Sequence, residues 1–211
     1  MEIDKYESLV RIVDENDNIL MPLDFLDIAK KTNYYSKMTL IILQNSFKAL
    51  IYTKKEISVN ISFFDIENNE TRRNILNILN ENKEFCSKIT FELLEEDDIN
   101  DFKLIKDFIK EVKQYGIKIA IDDFGKGYSN FERLIKYQPD ILKLDGLLIK
   151  NIEHDDFSFS IVEMLVTFAQ KQNIKVIAEY VENENIFNIL KNLGVDYSQG
   201  FYFGKAEPLK L

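Results

Sequence analysis

The sequence predicts an α/β fold with a parallel sheet, of the (β/α) barrel type. Three observations carry this. Short apolar strands alternate with amphipathic helices along the chain. The 211 residues suffice for one sizeable domain, with no linker or low-complexity tract to divide it. Each strand also carries a polar or charged residue where an apolar one is expected. In a barrel of this class the C-terminal ends of the strands converge on one mouth, where active sites are built.

The elements follow in order. Tyr6 to Val13 reads as a strand with Glu7 inside it, and Asp14 to Asn18 as a polar turn. Pro22 suits a helix start, with Phe25, Leu26 and Ile28 as its apolar pattern. Tyr34 to Leu50 reads as a helix, with Met38, Ile41, Ile42 and Phe47 at helical spacing. Ile57 to Ile61 is a strand ending near Asn60, and Asn68 to Leu79 a helix burying Ile75, Leu76 and Leu79. Ile89 to Leu93 is a strand with Glu92 near its end, and Ile99 to Tyr115 an amphipathic helix stopped by Gly116. Ile117 to Ile121 is a buried strand, Tyr128 to Tyr137 a helix ended by Pro139, and Ile141 to Leu144 a strand containing Lys143. Phe157 to Gln172 is a helix, Ile174 to Ala178 a strand closed by Glu179, and Asn183 to Leu193 a helix ended at Gly194. Tyr197 to Phe203 is a last short strand containing Gln199, which brings the strands to seven.

The net charge of −9 argues against a nucleic-acid polymer as partner, because a phosphate backbone needs a basic face. It leaves room for a small anionic ligand held by a metal and a few local cations. One cysteine, Cys86, rules out an intrachain disulfide framework, so a reducing compartment, the cytoplasm, is expected. His154 is the one histidine, so histidine zinc sites and Ser-His-Asp chemistry find no support. No apolar run is long enough to span a membrane.

The stretch from Ile119 to Asn130 holds the sharpest signal. An apolar strand ends in two adjacent carboxylates, Asp122 and Asp123, and Gly125 and Gly127 then turn the chain. Two like charges side by side are costly to bury unless a cation neutralises them. This stretch alone fits either a metal site or a solvated Asp-Asp turn; the other strands decide. Glu7, Asn60, Glu92, Asp122, Asp123 and Glu179 together offer an all-oxygen donor set, suited to Mg²⁺ or Mn²⁺. Two such cations can activate a water and stabilise both oxygens of an in-line phosphoryl displacement. Lys143, the one cation among these positions, can orient that water or screen the developing charge.

The motifs Glu7-Ser8-Leu9, Val59 to Ser62, Glu92 to Glu95, Asp122 to Ser129, Leu142 to Asp145, Ala178 to Glu182 and Gln199 to Phe203 resemble, in order, those of the EAL family of cyclic-di-GMP phosphodiesterases. The resemblance implies a metal-dependent hydrolase that converts cyclic-di-GMP to linear pGpG on a modified TIM-like barrel, in bacterial signalling. It implies that Glu7, Asn60, Glu92 and Asp122 hold one divalent cation, and Asp122, Asp123 and Glu179 the other. Lys143 matches the lysine that contacts the attacking water. Glu95 matches a glutamate that props the loop after the aspartate pair. Leu9, Arg11, Pro22, Asp145, Glu182 and Gln199 match substrate positions, Arg11 facing phosphate and Gln199 guanine. Strand alternation places Arg11 on the side of Glu7 and Leu9, which supports the first of these.

The chain also departs from the family pattern. Ser8 replaces alanine, Lys126 a small residue, Tyr180 a glycine and Gly146 an arginine, and Lys30 stands where a glutamate is frequent. Family members begin with a further strand carrying a glutamine–proline pair, so the resemblance implies a barrel open at its first edge. It also implies a dimer; the apolar Phe131, Leu134 and Ile135 point to their helix as the interface of a homodimer, with the open edge as the competing route, and the resemblance allows for a sensory or GGDEF-type domain ahead of residue 1. A catalytically weak receptor for cyclic-di-GMP is the alternative reading. Cys86 and His154 are expected to be an ordinary thiol and a solvated side chain. Phe63 and Phe64 are expected in the core.

Overall fold

A computed structural model describes residues 3–32, 34–93, 102–126 and 130–209. The described residues divide into two compact units, the first drawn from 3–92, 102–117 and 209, the second from 93, 118–126 and 130–208.

In the first unit β1 (Lys5–Ser8) precedes a two-stranded hairpin of β2 (Ile12–Val13) and β3 (Ile19–Leu20). Then come α1 (Pro22–Lys30), α2 (Tyr34–Thr53), β4 (Glu56–Ile61), α3 (Phe63–Glu67) and α4 (Asn69–Glu81). A short 3₁₀ turn at Cys86–Lys88 leads into β5 (Ile89–Leu93), and α5 (Phe102–Lys113) follows. The sheet order here is β1-β4-β5, and β1 runs parallel to β4 with Glu7 opposite Ser58. Helix α2 packs on α4 and on β4, burying Leu43, Phe47, Leu50, Val59, Ile75 and Leu79. Phe91 of β5 stacks on Phe108 of α5 with centroids 6.3 Å apart.

The second unit runs β6 (Lys118–Phe124), α6 (Asn130–Tyr137), β7 (Ile141–Leu144), α7 (Gly146–Ile149), α8 (Asp156–Lys171), β8 (Lys175–Ala178), α9 (Glu184–Leu193) and β9 (Tyr197–Ser198). Its strands lie in the order β6-β7-β8-β9, each neighbouring pair parallel. Ala120, Ile141 and Ile177 from three adjacent strands meet in the core. Carboxylates finish the ladder where strands run out: Asp140 accepts from Ile119 N at 2.8 Å, and Asp196 from Val176 N at 2.9 Å.

Local chemistry explains the helix starts. Asn68, Asp145, Asp155 and Asn183 each accept a backbone N–H from the first turn of α4, α7, α8 and α9. Ser62 and Asp65 form a reciprocal capping box at α3. Gly194 ends α9 in the left-handed region at φ 85°.

The structure corrects several expectations. The first strand stops at Ser8, because Ile12 and Val13 pair antiparallel with Ile19 and Leu20 around the turn at Asp14, whose carboxylate accepts from Asn16 and Asn18. The last strand ends at Ser198, because Gly200 lies so close to the backbone of Val181 that an added Cβ would sit 2.3 Å from its carbonyl oxygen. Strand β6 runs on through both aspartates to Phe124 instead of ending before them. Phe64 is exposed rather than core, and so is Ile28, whose place in α1 is taken by Ala29. His154 is exposed, as expected, and Cys86 is a buried free thiol. Among the described residues no helix is long and apolar enough to cross a membrane.

One contact joins two of the departures noted above. Tyr180 stands at φ 55°, a conformation that costs a non-glycine residue about 1–2 kcal/mol. A Cβ added to Gly146 would lie 2.4 Å from the Tyr180 ring, so the ring fills the space that a side chain at position 146 would need. Lys150 Nζ sits 4.5 Å from the same ring centroid. The two residues are therefore predicted to be energetically coupled. Gly146→Ala should cost about 1–3 kcal/mol in urea unfolding, and less than about 1 kcal/mol in a Tyr180→Gly background. Equal costs in both backgrounds would show that the contact carries no energy.

Candidate functional site

Two successive residues of a regular strand point to opposite faces of the sheet. Asp122 and Asp123 escape this rule. The register of β6 against β7 slips between Ile121 and Phe124, and Asp123 adopts φ 53°. This bulge turns both carboxylates to one side. There they meet Glu179, just past the end of β8, with one oxygen from each of the three lying within 4.8 Å of the others. Glu179 is anchored by its own N–H, which donates to Leu144 O at 3.1 Å.

Lys143, on β7 between them, is 1% exposed. Its Nζ stands 2.9 Å from Asp122 Oδ1 and 3.0 Å from Glu179 Oε1. An ammonium group is expensive to bury, and these two carboxylates offset that cost. Three carboxylates and one lysine sum formally to −3 + 1 = −2, the charge one divalent cation would neutralise. Asp122 Oδ1 is buried and accepts no well-directed hydrogen bond although Lys143 lies close. A buried acceptor with spare capacity, in a set of hard oxygen donors, fits a hard divalent cation.

The first unit holds a second set. Asn60 Nδ2 donates to Glu7 Oε1 at 3.3 Å. The other end of the amide, Oδ1, is buried without a hydrogen-bond partner, and so is Ser58 Oγ two residues earlier on β4. An orphaned amide oxygen beside a carboxylate also suits a hard cation. Glu92, on β5, is buried to 1% exposure. Along β5 it falls on the same face as Thr90, whose Oγ1 accepts from Lys5 Nζ at 3.0 Å.

The substrate positions expected from sequence are distributed as follows. Leu9 is exposed just after β1. Arg11 lies outside any strand, which removes the alternation argument for its direction; its Nη1 donates to Val10 O at 2.7 Å. Pro22 is the first residue of α1 and half-buried. Asp145 is buried and caps α7, accepting from Leu147 N at 2.8 Å. Glu182 and Gln199 are exposed, with the backbone of Gln199 joined to Ala178 and Val181. Glu95 lies outside the described residues, as does the acidic run that contains it.

One contact was not read from the sequence. Lys126 Nζ stands 3.1 Å from Asp123 Oδ2, and that hydrogen bond raises the lysine pKa above its ordinary value. The i,i+3 spacing across a glycine turn was the available signal. Cys86 takes no part in the chemistry: burial pushes its thiol up to about 11, and Sγ donates to Leu79 O.

The family model described as EAL domain matches residues 2–206. The chain is 29% identical over 209 residues to the cyclic di-GMP phosphodiesterase PdeF of Escherichia coli strain K12, covering 97% of this chain and 28% of that protein. It is 29% identical over 211 residues to the cyclic di-GMP phosphodiesterase PdeA of Borreliella burgdorferi, covering 97% of this chain and 31% of that protein. The chain thus spans less than a third of the length of these curated relatives. Among solved structures it is similar to the PaMucR phosphodiesterase in its cyclic di-GMP complex, with TM-score 0.84, 26% identity, and coverage of 96% of this chain and 84% of that one. It is also similar to an EAL domain protein from Listeria monocytogenes EGD-e, with TM-score 0.86, 26% identity, and coverage of 94% and 80%. The fold class is accordingly the TIM-like (β/α) barrel class, as the family resemblance implied. Matched by its family model from residue 2 to residue 206, the chain belongs to the EAL domain family.

Proposed function

We propose that this domain hydrolyses cyclic di-GMP to linear pGpG with the help of two divalent cations, Mg²⁺ or Mn²⁺. The observation that carries the reading is Lys143, buried in ion pairs with Asp122 and Glu179 beside Asp123, in a member of the EAL family. Asp122, Asp123 and Glu179 hold one cation. Glu7, Asn60 and Glu92 serve the other. The bound cations supply Lewis acidity at the phosphodiester and lower the pKa of a water.

The protein's own groups place the reactants. Two carboxylates fix the Lys143 ammonium from either side, so it meets an incoming water without reorganising. Arg11 takes a phosphate and Gln199 a guanine, with Leu9, Pro22, Asp145 and Glu182 completing the substrate contacts. Glu95 props the loop that follows Asp123. A preceding sensory or GGDEF-type domain and a cytoplasmic location belong to the same reading.

Incubation with cyclic di-GMP and Mn²⁺ should yield pGpG by chromatography, stop on addition of EDTA, and resume when Mn²⁺ is restored in excess. Ligand retained uncleaved by the metal-loaded protein would identify a receptor instead.

Lys143→Ala should lower kcat by about 10²- to 10⁴-fold while KM changes little, because the lysine acts on the water and not on substrate grip. A rise in KM that accounts for the whole loss in kcat/KM would exclude that role.

The domain is further proposed to form a homodimer through α6. Phe131 and Ile135 are 55% and 75% exposed on that helix, whereas Leu134, at 5%, belongs to the core and not to the interface. Phe131 also packs edge-on against Phe124, which closes β6. Phe131→Asp should shift light scattering to the monomer mass. A dimer that persists would place the interface elsewhere.

A further inference from the structure

Lys126 has no role in the reaction as assigned above, yet its charge touches the carboxylate cluster. Its Nζ stands 3.1 Å from Asp123 Oδ2. The backbone holds it there: Lys126 N donates to Asp123 O at 3.2 Å, closing a turn around Gly125 at φ 111°. A Cβ added to Gly125 would lie 2.5 Å from Leu148 Cδ1, so the turn sits flush against the residue below it. Asp123 itself is locked in the left-handed region at φ 53°. The root of the Lys126 side chain therefore has a set offset from the Asp123 carboxylate. The ammonium is a tethered cation, present at the cluster whatever the solution holds.

The two lysines at the cluster differ in kind. Lys143 is 1% exposed and pinned by two carboxylates. The Lys126 side chain is 58% exposed and pairs with Asp123, so rotation of its own torsions can release it. Lys143 leaves the cluster at −3 + 1 = −2, and Lys126 reduces that to −2 + 1 = −1. A divalent cation arriving at Asp123 meets this charge or displaces it.

We propose that Lys126 is a built-in competitor of the divalent cation at Asp123, a positioning residue that weakens metal binding and so sets the concentration at which the cluster fills. The proposal rests on the metal-dependent reading above. Exposed ion pairs are individually weak, so the competition is worth about three- to tenfold in affinity, not orders of magnitude.

Mn²⁺ titration calorimetry at fixed ionic strength, without substrate, tests it on wild type, Lys126→Thr and Lys126→Arg. The side chain is exposed, so neither substitution removes core packing. Lys126→Thr should bind Mn²⁺ about three- to tenfold more tightly, and Lys126→Arg should stay near wild type. Tight binding by Lys126→Thr where wild type binds none would support the same competition in a stronger form. Equal affinity in wild type and Lys126→Thr would overturn the proposal and leave the metal reading intact. Tighter binding by both variants would overturn it too, since charge would not be the cause. No Mn²⁺ binding by any of the three would overturn both.

Discussion

The second unit depends on a buried charge, the Lys143 ammonium. A lysine inside a central strand cannot be left without counter-charge, because desolvation alone costs several kcal/mol. Its neighbours answer that demand. Asp122 comes from β6 on one side and Glu179 from the end of β8 on the other. Each carboxylate would be costly without the lysine, and the lysine without either. The group forms in a single register, because a one-residue slip of β7 would send Lys143 to the opposite face. The bulge at Asp122 and Asp123 follows from this constraint. A regular strand could present one aspartate to Lys143; the slipped register and the left-handed Asp123 bring in the second.

Much of this was legible in the sequence because strand and helix periods leave strong traces. The strand from Ile89 to Leu93 was read with its observed bounds, and Pro22 and Gly194 marked helix ends by known chemistry. What escaped has physical reasons. The run YESLVRIV has strand composition throughout, and nothing local says that Asp14 will fold its second half into a hairpin. The run SQGFYF looks like a strand, yet Gly200 takes a backbone path that only glycine allows, and its aromatics pack on Phe187 instead. α7 is one turn long, too short for a periodic signal. The residue types of the carboxylate set could be named in advance. That Asp122 and Asp123 share one site was implied by the family resemblance; the bulge that turns both to one side was not, because strand alternation argues against it.

Gly146 and Tyr180 show how two unusual choices become one. Read singly, a tyrosine in a glycine-type conformation is strain, and a glycine opening α7 is a missed opportunity for helix propensity. Read together, the ring occupies the room the glycine leaves, and Lys150 covers it. The strain at φ 55° is met by packing and a cation–π contact of comparable size. The exchange also keeps Glu179 where it is, since the residue following it is wedged against the start of α7.

The charge of the cluster constrains the order of events in the proposed reaction. A phosphodiester is an anion, and the chain as a whole carries −9. Three carboxylates with Lys143 remain at −2, so the substrate is repelled by the very groups that are to act on it. Lys126 softens this repulsion but leaves the local sum negative. Only added positive charge reverses the sign. The surface lysines cannot supply it, being screened over roughly 8 Å at physiological salt. Cation binding must then come before productive substrate binding, and the carboxylates first create attraction for the metal and through it for the phosphate. On this view an acidic domain suits an anionic substrate because its selectivity passes through the ions it gathers, which ties substrate affinity to the same Asp123 that Lys126 contacts.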